Sequence, residues 1–449
     1  MAKKKVLTKG SFSALNDLLN KIAPDGEMIE VNPIAKIDEW ISTGSYILNA
    51  ALSGSLFGGL PNRRSLALAG EEGTGKTYIA LSICRNAIRY HDYDIIYFDS
   101  EGSIDIDFVS RLGVDTSRVR LQPVNTVEEF SYIAAQIILA FETQIAKKEI
   151  PPKIMIVLDS LGNLSSEKES EDTTKGENKR DMTKQQAIRK LFRVNGLKFA
   201  KLGIPFIVNA HTYDAMSMFT PKEISGGGGL KYNASIIFQL AKGNLKDKEA
   251  EDKLKKAKAD GEEKDSKEKK PKVGITVYIN PFKQRFARPI PVQFHIPYYK
   301  APNPFVGLEK YASWDTCGIV RGKMHTQKEY EKLEENEKKS CFQWEGFDIV
   351  IDEKGISNKI PNGKIWLEPR DTAKTLVCKH LGGETPLIDL FTPKVFTQEV
   401  LKELDENIIK PTFMLPSIES LEDLAELTSE LEMDNEEEDN EEIEENVTL

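Results

Sequence analysis

Residues 65–77 read SLALAGEEGTGKT, an apolar run that turns into a glycine-rich loop and ends in a lysine–threonine pair. The opening residues are small and apolar, as a strand buried on both faces should be. The next eight, Gly70 to Thr77, fit G-x4-G-K-[ST]. Gly70, Gly73 and Gly75 let the backbone curl so that its N–H groups face phosphate oxygens. A helix beginning near Lys76 adds its positive N-terminal end. Lys76 reaches the β- and γ-phosphates, and the Thr77 hydroxyl can ligate Mg²⁺. Strand, loop and helix in this order predict a phosphate site at the carboxyl edge of a parallel sheet.

The flanking pattern agrees. From about residue 41 to 294, short β-branched apolar runs (65–69, 95–99, 153–159, 205–210, 234–240 and 273–279) alternate with helical patterns over 77–90, 127–147 and 184–202. This alternation predicts an α/β fold: a mostly parallel, twisted sheet with helices on both faces. Residues 11–22 predict a short amphipathic helix, with Ser11 as N-cap and Leu15, Leu18, Leu19 and Ile22 in one stripe. That stripe suits either the protein's own core or another subunit. Residues 165–181 are polar and turn-rich, and residues 242–272, with 12 Lys against 9 acids, read as a solvated charged insertion. The expected organisation is an N-terminal helix and linker (1–40), a core (41–302) and a small α+β C-terminal domain (303–410) with anchors such as Trp314, Trp344 and Trp366. An acidic tail (411–449) follows.

A net charge of −10, from 61 Lys+Arg and 71 Asp+Glu, at first argues against nucleic acid. However, the last 39 residues carry 15 carboxylates and no Lys or Arg, so residues 1–410 hold 61 basic and 56 acidic side chains, a net of +5. Nucleic-acid binding therefore survives. Four cysteines without metal-ligand spacing predict free thiols in a reducing compartment. With no run of 18 apolar residues and no apolar signal core behind MAKKK, a cytoplasmic protein without a membrane span is expected.

A phosphate site of this kind needs a carboxylate for the metal at the end of a neighbouring strand. KIMIVLDS supplies Asp159. Hydrolysis needs a group that orients water, and IIYFDSEG offers Asp99 and Glu101. Glu101 lies past the strand end, where the site must be, although a capping or surface role fits the pattern equally well.

Together, four stretches resemble the RecA-type recombinase family over about residues 41–300. They are ISTGSYILNAAL with GLPNRRSLALAGEEGTGKT, then FDSEGSIDIDFVSRLGVD, LDSLGNL and ISGGGGLKYNASIIFQLAKG. The acidic tail, the NAH triplet and the C-terminal domain are similar to those of UvsX-like recombinases of T-even-type phages. The resemblance implies a P-loop RecA-type core and a DNA-dependent ATPase using ATP and Mg²⁺. Such a protein forms a homo-oligomeric helical filament on single-stranded DNA, pairs it with homologous duplex, and meets single-strand-binding and mediator proteins.

Residue by residue, it assigns ATP to Gly70, Glu71, Glu72, Gly73, Thr74, Gly75, Lys76, Thr77 and Tyr78, and adenine to Asp105 and Phe108. Thr77 and Asp159 take the metal, and Glu101 takes the attacking water. His211 stands where bacterial members have a γ-phosphate-sensing Gln, and an imidazole donates to phosphate as the amide does. Two loops take DNA. In the first, Lys179 and Arg180 are the candidates. In the second, residues 212–227, Met216, Met218 and Phe219 suit wedging or stacking on bases, and Lys222, Gly226 and Gly227 suit phosphates. Lys283 and Arg285, with Arg288 as a third candidate, lie where family members reach a neighbour's γ-phosphate. The alternatives are a RecA-core ring helicase and a non-catalytic paralogue.

Overall fold

The computed structural model describes residues 34–176, 183–213, 223–246, 272–299, 301–351, 357–370, 375–381, 383–386 and 392–416, with isolated positions 15, 19, 21, 22, 29, 32 and 373. Several expected features lie outside these residues: the Ser11 cap, Leu18, Lys179, Arg180, Met216, Met218, Phe219, Lys222, most of the charged insertion and the tail beyond 416. Leu15, Leu19 and Ile22 are helical and exposed.

The core is an eight-stranded sheet. In chain order its strands are β1 (Ser65–Gly70), β2 (Asp94–Asp99), β3 (Val119–Pro123), β4 (Ile154–Asp159), β5 (Phe206–Ala210), β6 (Ile236–Lys246), β7 (Lys272–Lys283) and β8 (Val292–Pro297). Their spatial order is β8-β7-β6-β1-β5-β4-β2-β3. The six strands from β6 to β3 are parallel, and β7 and β8 extend the sheet antiparallel.

Burial explains the strand sequences. Every residue of β4 (IMIVLD) is buried, because helices cover both faces. On one face packs α2 (Lys76–His91), with α1 (Tyr46–Ser53) near β8; on the other, α4 (Val127–Ala146) lies against α6 (Thr183–Leu202). Thr126 caps α4 by accepting from Glu129 N, and Glu128 and Glu129 place negative charge at its positive end.

Four stretches depart from the sequence reading. β3 is an edge strand with no fully buried residue, so it lacks the apolar run that marks the other parallel strands. β8 alternates buried and half-buried positions in the antiparallel extension. The stretch 165–181 is not only a loop: α5 (Glu167–Thr174) forms there, held by a reciprocal capping box between Ser166 and Glu169. The charged stretch 242–272 also gives its ends to the sheet, since β6 and β7 stay paired to Lys246 and Lys272.

After residue 302 come a five-stranded antiparallel sheet and short helices. Its strands are β9 (Ile319–His325), β10 (Phe342–Ile351), β11 (Ser357–Pro369), β12 (Thr375–Cys378) and β13 (Gly383–Pro386), in the order β10-β11-β9-β12-β13. Trp314 meets Trp344 edge-on at 4.9 Å, and Trp366 stacks on Tyr330 at 3.7 Å. The chain then returns to the core. Phe396 and Phe413 are buried in the same apolar cluster as Ile47 and Leu52. Asp405 accepts from Leu56 N (2.6 Å) and Ser55 Oγ (2.7 Å). Residues 411–413, placed in the acidic tail by sequence, belong to a helical turn, Lys410–Phe413, whose Phe413 is fully buried. The boundary misleads because the last Lys of the chain falls one turn before the last core residue.

Candidate nucleotide site and its link to the second loop

β1 ends at Gly70 between β6 and β5, so the glycine-rich loop opens at the carboxyl edge. The backbone passes so close to its neighbours that two glycines are required. A Cβ on Gly70 would lie 2.7 Å from Thr74 Oγ1 and 2.9 Å from Leu240 O. Gly75 has φ +90°, and its Cβ would meet Ile296 Cδ1 at 2.6 Å. α2 starts at the next residue.

Lys76 is buried, and its Nζ donates to Gly70 O and Glu71 O, both at 2.8 Å. Burial lowers its pKa, against the upward pull of the Asp159 and Glu101 carboxylates. An ammonium held by carbonyls alone gains from an anion that can approach it. Lys242, from β6, donates to Glu72 O and adds a second cation at the loop. Sequence placed it in the solvated insertion, and only the pairing of β6 with β1 brings it here.

On the other side of β1, across β5, Asp159 ends β4. Its Oδ2 accepts from Thr77 Oγ1 (2.7 Å) and Tyr97 OH (2.6 Å). Burial, and then the adjacent Asp159 charge, raise the Tyr97 pKa well above its ordinary value, so the phenol stays a donor. A buried carboxylate satisfied by hydroxyls, touching the threonine of the loop, fits Mg²⁺, which takes one or two protein oxygens plus phosphate and water. Among the described residues, no cluster of three or more His, Cys, Asp or Glu competes for a metal.

Asp99 and Glu101 have separate tasks. Asp99 Oδ1 accepts from Glu101 N and Gly102 N, both at 2.9 Å, and so shapes the turn after β2. Glu101 is thereby carried past the strand end. Its Oε1 accepts from Ser160 Oγ at 2.7 Å and lies 3.1 Å from His211 Nε2. His211 follows β5 and is half-buried. Its backbone N donates to Ser225 Oγ (2.9 Å), and Ser225 N donates to His211 O (2.8 Å). A two-residue pairing of Thr212–Tyr213 with Glu223–Ile224 continues that closure. The ring beside Glu101 is thus fixed to the root of the second loop. Gly226 and Gly227 take positive φ and lead into α7 (Gly227–Asn233).

Other expected residues have local tasks here. Asp105 caps α3 (Ile106–Arg111) by accepting from Phe108 N at 2.8 Å, and Phe108 is exposed. Tyr78 packs against the core on α2, where burial raises its pKa.

Lys283 and Arg285 lie elsewhere. β7 runs antiparallel to β6, so Lys283 pairs with Ile237, three residues before the Leu240 that sits beside Gly70. Lys283 Nζ donates to Lys231 O and Tyr232 O, both at 2.9 Å, at the C-terminal end of α7. Arg285 approaches Arg64, the residue before β1, closely enough to add to the burial that lowers its pKa. Both cations therefore stand at the amino edge of the sheet, opposite their own phosphate loop. Ser160, Tyr97, Ser225, Gly162 (whose Cβ would lie 2.6 Å from His211 Cδ2) and Lys242 were not expected here. The first and fourth lie in the quoted LDSLGNL, yet nothing in that string says which side chains face Glu101.

The sequence is similar to those of curated proteins. The chain is 33% identical over 202 residues to the recombination and repair protein of enterobacteria phage T4, covering 45% of this chain and 50% of that protein. It is 28% identical over 227 residues to Protein RecA of Wolbachia sp. subsp. Brugia malayi (49% and 59% covered), and 30% identical over 202 residues to Protein RecA of Nocardioides sp. (44% and 53%). The chain spans about half the length of the curated relatives it matches. The RecA N-terminal domain model matches residues 15–284, more than half of the sequence and the stretch that carries the phosphate loop, Asp159, Glu101 and His211, and the chain belongs to the RecA family.

Proposed function

We propose that the protein is an ATP-dependent recombinase that assembles on single-stranded DNA, pairs it with homologous duplex and exchanges strands. The junction at His211 carries this reading. One ring nitrogen rests on Glu101, while the same residue's backbone closes the second loop. Any force on that loop is felt at the carboxylate suited to orient water.

Lys76 and Lys242 neutralise phosphate charge, and the loop N–H groups position it. Thr77 and Asp159 would hold Mg²⁺, which would supply charge stabilisation to the phosphates when bound. Glu101 orients the attacking water. Lys283 and Arg285, at the opposite edge, serve the site of the next copy. A head-to-tail contact of that kind that does not close gives a filament, and hydrolysis then depends on assembly. Asp105 and Phe108 border the base. The two loops, the first through Lys179 and Arg180, meet DNA, with affinity that falls as salt rises. Single-strand-binding and mediator proteins are expected partners in the cytoplasm; among the described residues no helix is long and apolar enough to cross a membrane.

The test is D-loop formation from purified protein, ATP, single strand and homologous supercoiled duplex. Product with homologous strand and none with heterologous strand supports the reading. Closed hexamers on single-stranded DNA would instead favour a ring helicase. Absence of DNA-stimulated ATPase would favour a non-catalytic paralogue.

A further inference from the structure

Ser160 joins Glu101 to His211, and its chemistry fixes the protons of all three. Its side chain is fully buried at the end of β4, one residue after Asp159. The backbone is clamped by Ser100, whose Oγ accepts from Ser160 N and donates to Ser160 O, both at 2.8 Å. A serine hydroxyl has one proton and two lone pairs. The 2.7 Å contact with the Glu101 carboxylate takes the proton, because an ionised carboxylate only accepts. Ser160 Oγ therefore accepts from His211 Nε2, 3.2 Å away. His211 Nε2 faces two acceptors, Ser160 Oγ and Glu101 Oε1, so it carries a hydrogen shared between them. Gly162 lies against the ring: a Cβ there would sit 2.6 Å from His211 Cδ2.

Both contacts to the carboxylate fall on Oε1. We propose that Ser160 is a positioning residue for Glu101: its hydroxyl pins Oε1, with His211 as the second arm, and leaves Oε2 as the oxygen that faces the attacking water. Without the hydroxyl, the glutamate side chain regains rotational freedom and, among the described residues, His211 is left as its hydrogen-bond restraint. Because His211 is fixed to the second loop, Glu101 would then follow that loop without a fixed reference on the sheet. The proposal rests on the ATPase reading above.

The experiment compares steady-state ATP hydrolysis on single-stranded DNA by the full chain, Ser160→Ala and Ser160→Thr, with equilibrium binding of a slowly hydrolysed ATP analogue and thermal unfolding as controls. Loss of one charge-assisted hydrogen bond predicts a fall in kcat of about tenfold to a hundredfold for Ser160→Ala. KM and analogue affinity should stay within about twofold, because the missing contact acts on the water-orienting group and not on bound nucleotide. Ser160→Thr, which keeps the hydroxyl, should recover most of the loss. If Ser160→Ala does not fold, Ser160→Cys, with a weak donor in nearly the same volume, carries the same expectation at smaller size. Wild-type kcat in folded Ser160→Ala overturns the proposal. A loss of analogue affinity equal to the loss of kcat also overturns it, by showing damage to the nucleotide site. Glu101→Gln with full turnover would overturn the assignment of Glu101 to the attacking water, and the proposal with it, whereas absence of hydrolysis by the full chain would overturn the ATPase reading itself.

Discussion

Adding a single methyl at Gly162 tests the geometry that joins His211 to Glu101. Gly162 does not use the left-handed region, so alanine fits its backbone. The new Cβ would lie 2.6 Å from His211 Cδ2, 3.4 Å from Cγ and 3.4 Å from Ser225 Oγ. Carbon atoms in contact settle at about 3.5–4.0 Å, so the ring must retreat by roughly 1 Å. The backbone of His211 is held by Ser225 on both sides, so the movement falls on the side chain. A displacement of that size takes the 3.1 Å contact of Nε2 with Glu101 and the 3.2 Å contact with Ser160 out of their present geometry. Overpacking costs about 1–3 kcal/mol, partly offset by about 0.4–1 kcal/mol from a stiffer unfolded chain. The variant should fold with a modestly lower Tm. DNA-stimulated kcat should fall about tenfold or more, because a hydrogen bond to a charged group contributes about 1.5–3 kcal/mol. ATP-analogue affinity should hold. Calorimetry, analogue titration and a coupled ATPase assay measure the three quantities. A folded Gly162→Ala protein with unchanged DNA-stimulated kcat would refute the argument that ring position governs Glu101.

Lys76→Ala should abolish turnover in the same assay, since two buried carbonyls replace the cation at the phosphates. Arg285→Ala should leave nucleotide binding by dispersed subunits intact yet remove DNA-stimulated turnover. Mixing it with Lys76→Ala subunits should restore some activity, and no recovery on mixing would argue against a role in trans. Truncation after residue 416 should tighten DNA binding and change its salt dependence if the acidic tail competes for the basic surface. Truncation after Lys410 should also lower Tm, because it removes the buried Phe413, which packs on Tyr311 and accepts from Arg288 N. Burial pushes the Cys84 thiol up from 9.0 to about 12. Unfolded chains lose that proton first as pH rises, so the stability it represents is whole below about pH 9 and is lost progressively toward pH 12. In thiol-labelling the native protein should therefore leave Cys84 unreacted, whereas exposed thiolates react.

Much of the core was legible because its signals are local. SLALAGEEGTGKT holds strand, phosphate loop and helix start within thirteen residues. Asp159 was legible because a buried strand must stop somewhere, and a carboxylate at that stop has one obvious use beside a phosphate loop. α5 was missed although Ser166 and Glu169 have capping-box spacing, since its sequence EKESEDTT offers no apolar stripe to announce a helix. β3 was missed for a related reason: an edge strand needs few buried residues, so its apolar content is low.

Sequence by itself determined the α/β class, the phosphate loop, and the identities of Lys76, Thr77, Asp159 and Glu101 as candidate chemistry, because each depends on neighbours a few residues away. Only the tertiary structure decided what Glu101 touches. Ser160 lies 59 residues from it and His211 lies 110, and they meet because parallel strands deliver their carboxyl ends to one edge whatever their separation along the chain. The same geometry put Lys242 on the phosphate loop and sent Lys283 and Arg285 to the opposite edge, since β6 runs with β1 and β7 runs against it. It also drew Phe413 and Asp405 back onto the core. Hydrogen bonds and burial act over a few ångströms of space, and strand order sets which distant residues share that space.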